Sequence, residues 1–312
     1  MLTSISAGKN NGRGMGKGSA FRNYCRKNTD TISEKSFGGF AVKKWIFLIC
    51  IFYGLAAAYV SSLFGVEAEA YVPPAAERRD MGYLPEKNIA DYTESDYEFI
   101  REQTGLGRSA VKSLADPRKL LKYQDRYFGG ADFICDMNSP ISYEERINGD
   151  PALLAPLEDG DILVTSSSHV LSWRNGHAAI VVNAEKGVTL EAVVIGSNSR
   201  TQNISKWTRY PNFAVLRLKN ADKKERAEIA RSAMENLDDI PYRVTIGLFP
   251  AKYSELNLVS GTQCAHLVWL AYAANGYDID SNHGLIVTPK DILESDLFER
   301  VQIFGMSDQP SR

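Results

Sequence analysis

Four short apolar segments follow one another between residues 160 and 218, and this crowding limits what the chain can fold into. They read GDILVT (160–165), HAAIVV (177–182), VTLEAVVI (188–195) and FAVLRL (213–218). Runs of this length, rich in β-branched residues and separated by short turns, are typical of antiparallel strands. We therefore expect an antiparallel meander built from these segments.

Helical patterns come after the strands. Residues 222–237 carry apolar side chains on one helical face, and residues 261–274 (GTQCAHLVWLAYAA) lead to a capping Gly276. Thr288-Pro289 begins a short third helix. Strands grouped before helices predict an α+β fold in which an antiparallel sheet packs against helices.

Residues 45–66, WIFLICIFYGLAAAYVSSLFGV, contain no charged side chain. This stretch is long enough to cross a bilayer as a helix, and Lys43 and Lys44 before it predict a cytoplasmic N-terminus. Ala68-Glu69-Ala70 follows with the A-x-A pattern of a signal-peptidase site. Two interpretations stay open: a cleaved signal that gives a secreted protein, or an anchor that holds a single-pass protein in the cell membrane with its body outside.

Composition divides the chain into four parts. Residues 1–44 are basic and rich in Gly, Ser, Asn and Lys, which predicts a disordered cytoplasmic leader. Residues 45–70 form the transmembrane or signal segment, residues 71–155 a linker and a small helical lead-in, and residues 156–305 the predicted α+β domain. From residue 71 onwards the chain has 27 basic and 34 acidic residues. This acidic balance argues against a nucleic-acid partner.

Cys264 stands at the start of a predicted helix. The exposed amide N–H groups and the positive end of the dipole there favour thiolate, the nucleophilic form, and the N–H of Cys264 itself is placed to hold an oxyanion. A buried, unreactive cysteine fits the helix pattern equally well, and a disulfide with Cys135 is a further alternative. Because the chain has no CxxC motif and no paired Cys/His spacing, we expect no metal and no cofactor.

A reactive thiol needs a base, and the chain has four histidines. His266 lies two residues after Cys264 and would point to the opposite side of the helix, whereas His169 and His283 lie in loop-like sequence. His177 begins an apolar strand, which would fix it at the end of a sheet. His177 is therefore the predicted base.

The next strand offers a group to orient the histidine ring. Alternation puts Thr189, Glu191 and Val193 on one face of that strand, and a buried carboxylate is costly unless it is paired. We expect Glu191 to face the site, although an outward-facing surface glutamate also fits. Two weaker candidates precede His177 along the chain. Trp173 is expected to line a cleft, although Trp173, Trp207 and Trp269 all fit as core or rim residues. Arg174 is expected to meet a substrate carboxylate unless it is an ordinary solvated loop charge.

Several stretches together resemble the permuted branch of the NlpC-type papain-like cysteine hydrolases, the YiiX-like proteins. Within residues 156–300 the matching stretches are GDILVT, GHAAIVV, TLEAV, Ile240-Pro241-Tyr242, QCAHLVWLAY and VTPKDI. The order is similar too, because the histidine precedes the cysteine here, whereas it follows the cysteine in the unpermuted branch. The resemblance implies a circularly permuted papain-like fold.

In such a family the cysteine is the nucleophile, the strand histidine is the base, and a polar residue on the following strand orients the histidine. The resemblance therefore implies these roles for Cys264, His177 and Glu191, and it places Tyr242 near the site. The chain departs from the commoner Cys-Ser pattern at Ala265, which bears on the details of the helix cap.

The resemblance and the predicted export imply a thiol hydrolase that cleaves an amide bond. The expected substrate is a peptide or a peptidoglycan-like molecule of the cell wall. Two alternatives stay open. One is a lipid or thioester acyl hydrolase or acyltransferase of the same fold, because lecithin retinol acyltransferase-like proteins share the histidine-before-cysteine order. The other is a cell-wall binding module in which Cys264 performs no chemistry.

Overall fold

The computed structural model describes residues 44–56, 70–130, 132–170, 173–248, 251–256 and 258–307. The chain divides into two compact units, residues 1–57 and 58–312, and residues 44–56 of the first unit are helical. No helix within the described ranges combines the length and the hydropathy needed to span a bilayer. The predicted leader up to residue 43, residues 57–66 of the predicted span and part of the A-x-A pattern lie outside the described residues.

The second unit is built from α-helices and antiparallel strands, as the sequence predicts for an α+β fold. Its described α-helices are α1 (Glu94–Thr104), α2 (Arg108–Lys112), α3 (Lys119–Phe128), α4 (Lys223–Leu237), α5 (Cys264–Ala273) and α6 (Pro289–Leu293). Its described strands are β1 (Phe133–Ser139), β2 (Ser142–Ile147), β3 (Ile162–Thr165), β4 (Ser168–Val170), β5 (Trp173–Arg174), β6 (His177–Asn183), β7 (Val188–Glu191), β8 (Arg200–Asn203), β9 (Phe213–Leu218) and β10 (Phe298–Phe304). Short 3-10 helices are found at Leu84–Glu86, Ile89–Asp91, Ile204–Arg209 and Lys252–Leu256.

The larger sheet has the strand order β10-β9-β3-β6-β7-β8, with every neighbouring pair antiparallel. Strands β3, β6 and β7 follow one another as a meander, as predicted. The meander prediction was wrong for the fourth segment, because β9 returns to the other side of β3 and places Val215 opposite Leu163. The position next to β7 belongs to β8, a polar strand that the apolar patterning did not indicate.

Both faces of this sheet are buried along β3, β6 and β9, which explains why these strands are almost continuously apolar. Ile162 and Val164 of β3 face a core shared with α4, α5 and α6. Leu163, between them, faces a second core shared with α1, α2 and α3. The site-bearing sheet is therefore held between two layers of helices.

The lead-in helices belong to the same packing unit as the sheet. Thr93 and Asp96 form a capping box at the start of α1, which ends at Gly105 with φ +71°. The Gly105 carbonyl accepts a hydrogen bond from the N–H of Ile303 in β10, 2.9 Å away. A side chain at Gly105 would collide with the Ile303 carbonyl, so glycine is required both by the left-handed backbone and by this close approach.

A second sheet, in the order β1-β2-β4-β5, differs from the sequence-based expectation. Only helices were expected before residue 156, but β1 and β2 form a hairpin there. The region around His169 was read as a loop, but it is strand β4, and the buried His169 ring stacks on Tyr143 of β2 at 4.3 Å. The inward side chains of β2 include Glu144 and Glu145, so its pattern has no apolar period to detect.

A buried ion pair fastens the start of β3 to β9. Arg217 donates to the two carboxylate oxygens of Asp161 at 2.8 and 2.7 Å, and the two side chains are 4% and 0% exposed. Next to Asp161, the carbonyl of Gly160 accepts a hydrogen bond from the Tyr272 hydroxyl of α5. This cluster locks α5 against the sheet at the end of the helix remote from Cys264.

We predict that Arg217→Met lowers the free energy of unfolding by about 3–5 kcal/mol, because it leaves the Asp161 carboxylate buried without its charged partner. Denaturant unfolding followed by circular dichroism measures the change. The matched control is Arg231→Met, which removes an exposed arginine that pairs with Glu228 and Glu235 and should change the midpoint far less. Equal effects of the two substitutions would contradict the structural role of the buried pair.

Candidate active site

Cys264 is the first residue of α5, and the residue before it caps the helix. The side-chain oxygen of Gln263 accepts a hydrogen bond from the Ala265 N–H at 3.0 Å and lies 3.4 Å from the Cys264 sulfur. The Gln263 amide nitrogen donates to the carbonyl of Val287 at 2.8 Å. The amides of a first helical turn, including that of Cys264, have no acceptor within the helix. The thiol is thus held at a rigid helix tip that has N–H groups to offer.

His177 is the first residue of β6, and a glycine directs the chain into it. Gly176 has φ +69°, and a Cβ there would lie 2.7 Å from the Thr165 carbonyl oxygen. The imidazole is 2% exposed. Its Nε2 lies 2.7 Å from an oxygen of Glu191, so Nδ1 is the ring nitrogen left for Cys264, which lines the same cavity and acts on the ionisation of the ring. The structure therefore brings the three predicted catalytic residues together in the order Cys264, His177, Glu191.

Glu191 ends β7 and is fully buried. One carboxylate oxygen accepts hydrogen bonds from the Thr189 hydroxyl at 2.5 Å and the Trp207 indole N–H at 3.0 Å. The other oxygen faces His177 and also lies 2.5 Å from the Lys206 ammonium group. A buried carboxylate is stable only when it is paired and hydrogen-bonded, and Glu191 meets both conditions.

Burial and partners act in opposite directions on the ionisation of the pair. Burial alone lowers the pKa of His177, but its hydrogen bonds with Cys264 and Glu191 outweigh burial and raise the pKa to about 9. Burial would raise the pKa of Glu191, yet the charges of Lys206 and His177 hold that pKa well below its usual range. At neutral pH the pair is therefore an imidazolium beside a carboxylate.

A small cavity opens onto the sulfur and the ring. Its volume is about 20 Å³, enough for about one water molecule. Cys264 and His177 line it, as do Ser139 at the end of β1 and Ile141 in the turn that follows. Ile195, in the segment after β7, also lines it.

The weaker candidates lie in different surroundings. Tyr242 lines the cavity, and its pKa is raised by burial and by the nearby Cys264. Trp173 is 38% exposed on β5 and is not among the cavity-lining residues. Arg174 donates to both oxygens of Glu145 at 2.6 and 2.7 Å, so it is neither a solvated charge nor turned towards the cavity.

Cysteine pairing does not compete with this arrangement. Cys135 and Cys264 are both free thiols, the first exposed and the second buried, so the disulfide alternative was wrong. His266 is buried and stacks on Trp269 at 5.5 Å, away from the role of base, and His283 is exposed.

Two neighbours of Glu191 escaped the sequence analysis. Lys206 lies in a polar stretch that is typical of solvated charges, and Trp207 was read as a core or rim residue. Trp207 is fully buried, stacks on His177 at 5.6 Å and donates to Glu191. The only local signal was a lysine next to a tryptophan, since their carboxylate partner lies on a different strand.

Comparisons with known proteins give no family for the chain. No family model and no curated protein matches it. Among solved structures it is similar to the metalloprotein yiiX from Escherichia coli O157:H7, DUF1105, with 14% identity and a TM-score of 0.38 over 47% of this chain and 98% of that one. A likeness of this size shows neither an activity nor the predicted permutation.

The description as a metalloprotein belongs to that solved structure. Across the described ranges of this chain, no group of three or more His, Cys, Asp or Glu side chains is arranged to hold a metal ion. The side chains around Cys264 are instead arranged as a chain of proton donors and acceptors.

We predict that the His177 ring in the full-length protein titrates near pH 9, well above the ordinary value of 6.5. Because folding raises this pKa, the stability contributed by the protonated ring is complete below about pH 6.5 and is lost as pH rises through about 9. In Glu191→Gln the midpoint of the His177 titration should fall by about one pH unit or more, because the substitution removes the negative charge beside the ring.

Imidazole resonances followed by NMR over pH 5–10 measure this titration, and the exposed His283 provides a reference signal outside the site. Four histidines make assignment by single substitution practical. A His177 midpoint near 6.5, or one that Glu191→Gln leaves in place, would show that the carboxylate does not control the ring.

Proposed function

We propose that the protein is a thiol hydrolase that cleaves an amide bond through a Cys264 acyl-enzyme, with His177 as the acid–base group and Glu191 as its orienting partner. The observation that carries the proposal is that Cys264 and His177 line one cavity while a fully buried Glu191 holds the ring through Nε2 at 2.7 Å. A nucleophile, a base and an oriented base in contact at a cavity are the recurring parts of covalent acyl transfer.

The resting site holds a thiolate beside an imidazolium. A histidine that stays protonated at neutral pH favours loss of the thiol proton next to it, and the helix tip favours the resulting negative charge. His177 then has its Nδ1 proton facing the sulfur, while Nε2 donates to Glu191. The carboxylate fixes both the tautomer and the orientation of the ring.

Acylation begins when the sulfur of Cys264 attacks the substrate carbonyl carbon. A C–S bond forms, and the carbonyl π electrons move to oxygen, whose charge the N–H of Cys264 stabilises. The intermediate collapses with cleavage of the C–N bond as His177 gives its Nδ1 proton to the leaving nitrogen. A free amine departs, and the acyl group stays on the sulfur as a thioester.

Deacylation uses water and returns the proton. Neutral His177 takes a proton from the water as its oxygen attacks the thioester carbon. The second intermediate collapses with cleavage of the C–S bond, which releases a carboxylic acid. The sulfur leaves as thiolate, and His177 is again an imidazolium, so the starting state is restored.

The chain order supports a permuted papain-like assignment, since His177 begins a strand that precedes the Cys264 helix. We also propose that residues 45–66 either anchor the protein in the cell membrane or act as a cleaved signal, with the catalytic body outside. This proposed location makes peptides of the cell wall the expected substrates.

The cavity of about 20 Å³ is too small for a peptide, so substrate access in this proposal needs movement of the segments that line it, including the turn between β1 and β2. Ile141 of that turn is 42% exposed, and Ile195, which also lines the cavity, is 45% exposed. Two exposed apolar side chains among the lining residues also suit an acyl chain, which favours the lipid or thioester acyl hydrolase or acyltransferase as the second candidate function.

Alkylation by iodoacetamide tests the nucleophile without knowledge of the substrate. We expect Cys264 to react well below the pH at which an ordinary thiol becomes reactive, because the imidazolium beside it favours the thiolate. His177→Ala should remove that advantage and lower the rate at pH 6 by about tenfold or more. The exposed Cys135 is the comparison thiol within the same protein, and mass spectrometry separates the two sites.

Hydrolysis assays then separate the candidate substrates. Cell-wall peptides and acyl lipids or thioesters are offered to the wild-type protein and to Cys264→Ser, which should lose at least about 100-fold in turnover because an alcohol is far less ionised than a thiol. Turnover of acyl lipids alone would select the second candidate. If Cys264 alkylates with the same pH profile as Cys135, the hydrolase proposal fails and a cell-wall binding module is left.

A further inference from the structure

Lys206 is four-fifths buried, and it points its ammonium group at the acid of the site. The group lies 2.5 Å from the same Glu191 oxygen that faces His177 at 2.7 Å, and its side chain is 20% exposed. Holding a lysine this far from water has a desolvation cost. Among the described residues, Glu191 is the only carboxylate that forms an ion pair with Lys206. The desolvation cost is therefore offset at the site itself.

The contact between Lys206 and Glu191 balances the charges of the proposed site. In the resting state of the proposed hydrolase, Cys264 and Glu191 are negative and His177 is positive. These three groups alone would leave one uncompensated negative charge in a buried site, where charges are poorly screened. The Lys206 ammonium brings the sum of the four groups to zero.

We propose that Lys206 is a positioning residue that, through its contact with Glu191, neutralises the site as a whole and sets the pH range over which thiolate and imidazolium coexist. The inference rests on the proposed function, because it assigns a role at the same site. Lys206 does not touch the reacting sulfur; it acts through the carboxylate.

The backbone around Lys206 is fixed well enough for this role. Lys206 lies in the 3-10 helix Ile204–Arg209, whose start is capped by the Asn203 side chain. Its carbonyl oxygen accepts a hydrogen bond from Arg146 of β2 at 2.9 Å. Its neighbour Trp207 is anchored by the indole bond to Glu191. The ammonium group is therefore presented by a segment held from two sides.

The other charged and titratable groups near this cluster are accounted for by contacts of their own. From β2, Arg146 pairs with Glu144 and lies over the Tyr210 ring. The Tyr210 hydroxyl donates to Glu144 at 2.8 Å, and burial and the Glu144 charge raise its pKa well above the usual value. Tyr242 faces Cys264 from the cavity side. None of these side chains supplies a positive charge to Glu191.

Removal of the lysine charge should shift the whole activity window. A nearby positive charge opposes protonation of His177 and favours the thiolate. Without it the thiolate forms at higher pH, and the imidazolium loses its proton at higher pH as well. The curve of alkylation rate against pH would therefore keep its shape, and its acid limb and its alkaline limb would both move to higher pH.

The experiment measures iodoacetamide alkylation of Cys264 from pH 4 to 11 in the full-length protein and its variants. In Lys206→Met and Lys206→Gln we expect both limbs to rise by about one pH unit. Lys206→Arg should hold both limbs at their wild-type positions because it keeps the charge. The matched control is Lys186→Met, which removes an exposed lysine from the turn between β6 and β7. Circular dichroism checks folding, and Lys206→Gln retains a hydrogen-bond donor if Lys206→Met does not fold.

The outcomes separate this inference from the proposed function. An ordinary thiol profile in the wild type overturns the hydrolase proposal itself. A second outcome is a wild-type rate that rises below the pH of an ordinary thiol, together with a Lys206→Gln curve that is lower in rate but not shifted in pH. This result would be consistent with the hydrolase proposal and would overturn the role of Lys206. Equal shifts in Lys206→Gln and Lys206→Arg would show that packing rather than charge is responsible, and would also overturn it.

Discussion

The arrangement of the site depends on one buried carboxylate. Glu191 has no contact with solvent, and its two oxygens face a hydroxyl, an indole, an imidazole and an ammonium group. Those groups come from three places in the chain, so the carboxylate is the point at which β6, β7 and the 3-10 helix after β8 meet. Its negative charge in turn decides that the His177 ring is protonated when it faces the sulfur.

The helical layers on either side of the sheet keep the Glu191 carboxylate buried. One core joins the sheet to α4, α5 and α6, and the other joins it to the lead-in helices. Strand ends that carry His177 and Glu191 are consequently rigid, since both faces of each strand are packed. The helices α1, α2 and α3 have no part in the proposed chemistry, but they cover the face of the sheet that would otherwise expose Leu163, Ala179 and Val181.

Local sequence patterns predicted the parts of the fold that rest on apolar periodicity. The boundaries of β3, β6, β9, α4 and α5 follow from such patterns, as does the position of Cys264 at a helix start. The order of strands did not follow, because the pairing of β9 with β3 joins segments far apart in the chain. The β1–β2 hairpin also escaped, since the buried residues of β2 include the carboxylates Glu144 and Glu145, which pair with Arg146 of the same strand and with Arg174 of β5.

The same distinction holds within the site. His177 and Glu191 stood out because a polar side chain in an apolar strand demands a partner. Lys206 did not, because a lysine in a polar stretch is ordinary unless its partner is known. Arg174 was misread for the converse reason: its loop-like setting concealed the bidentate contact with Glu145. Whether Cys264, His177 and Glu191 perform the proposed chemistry stays a prediction that the geometry supports.

The order in which these groups occur along the chain has a consequence for a polypeptide made from its N-terminus. The acid–base half of the site, with Glu191, His177 and Lys206, is complete some 58 residues before Cys264 is added. A nascent chain that ends before residue 264 already holds β3, β6, β7, β8 and β9 of the larger sheet, but it has neither the cysteine nor the edge strand β10. In the proposed mechanism the sulfur is therefore the last of the four groups to be made, and a chain stopped before it would lack the nucleophile.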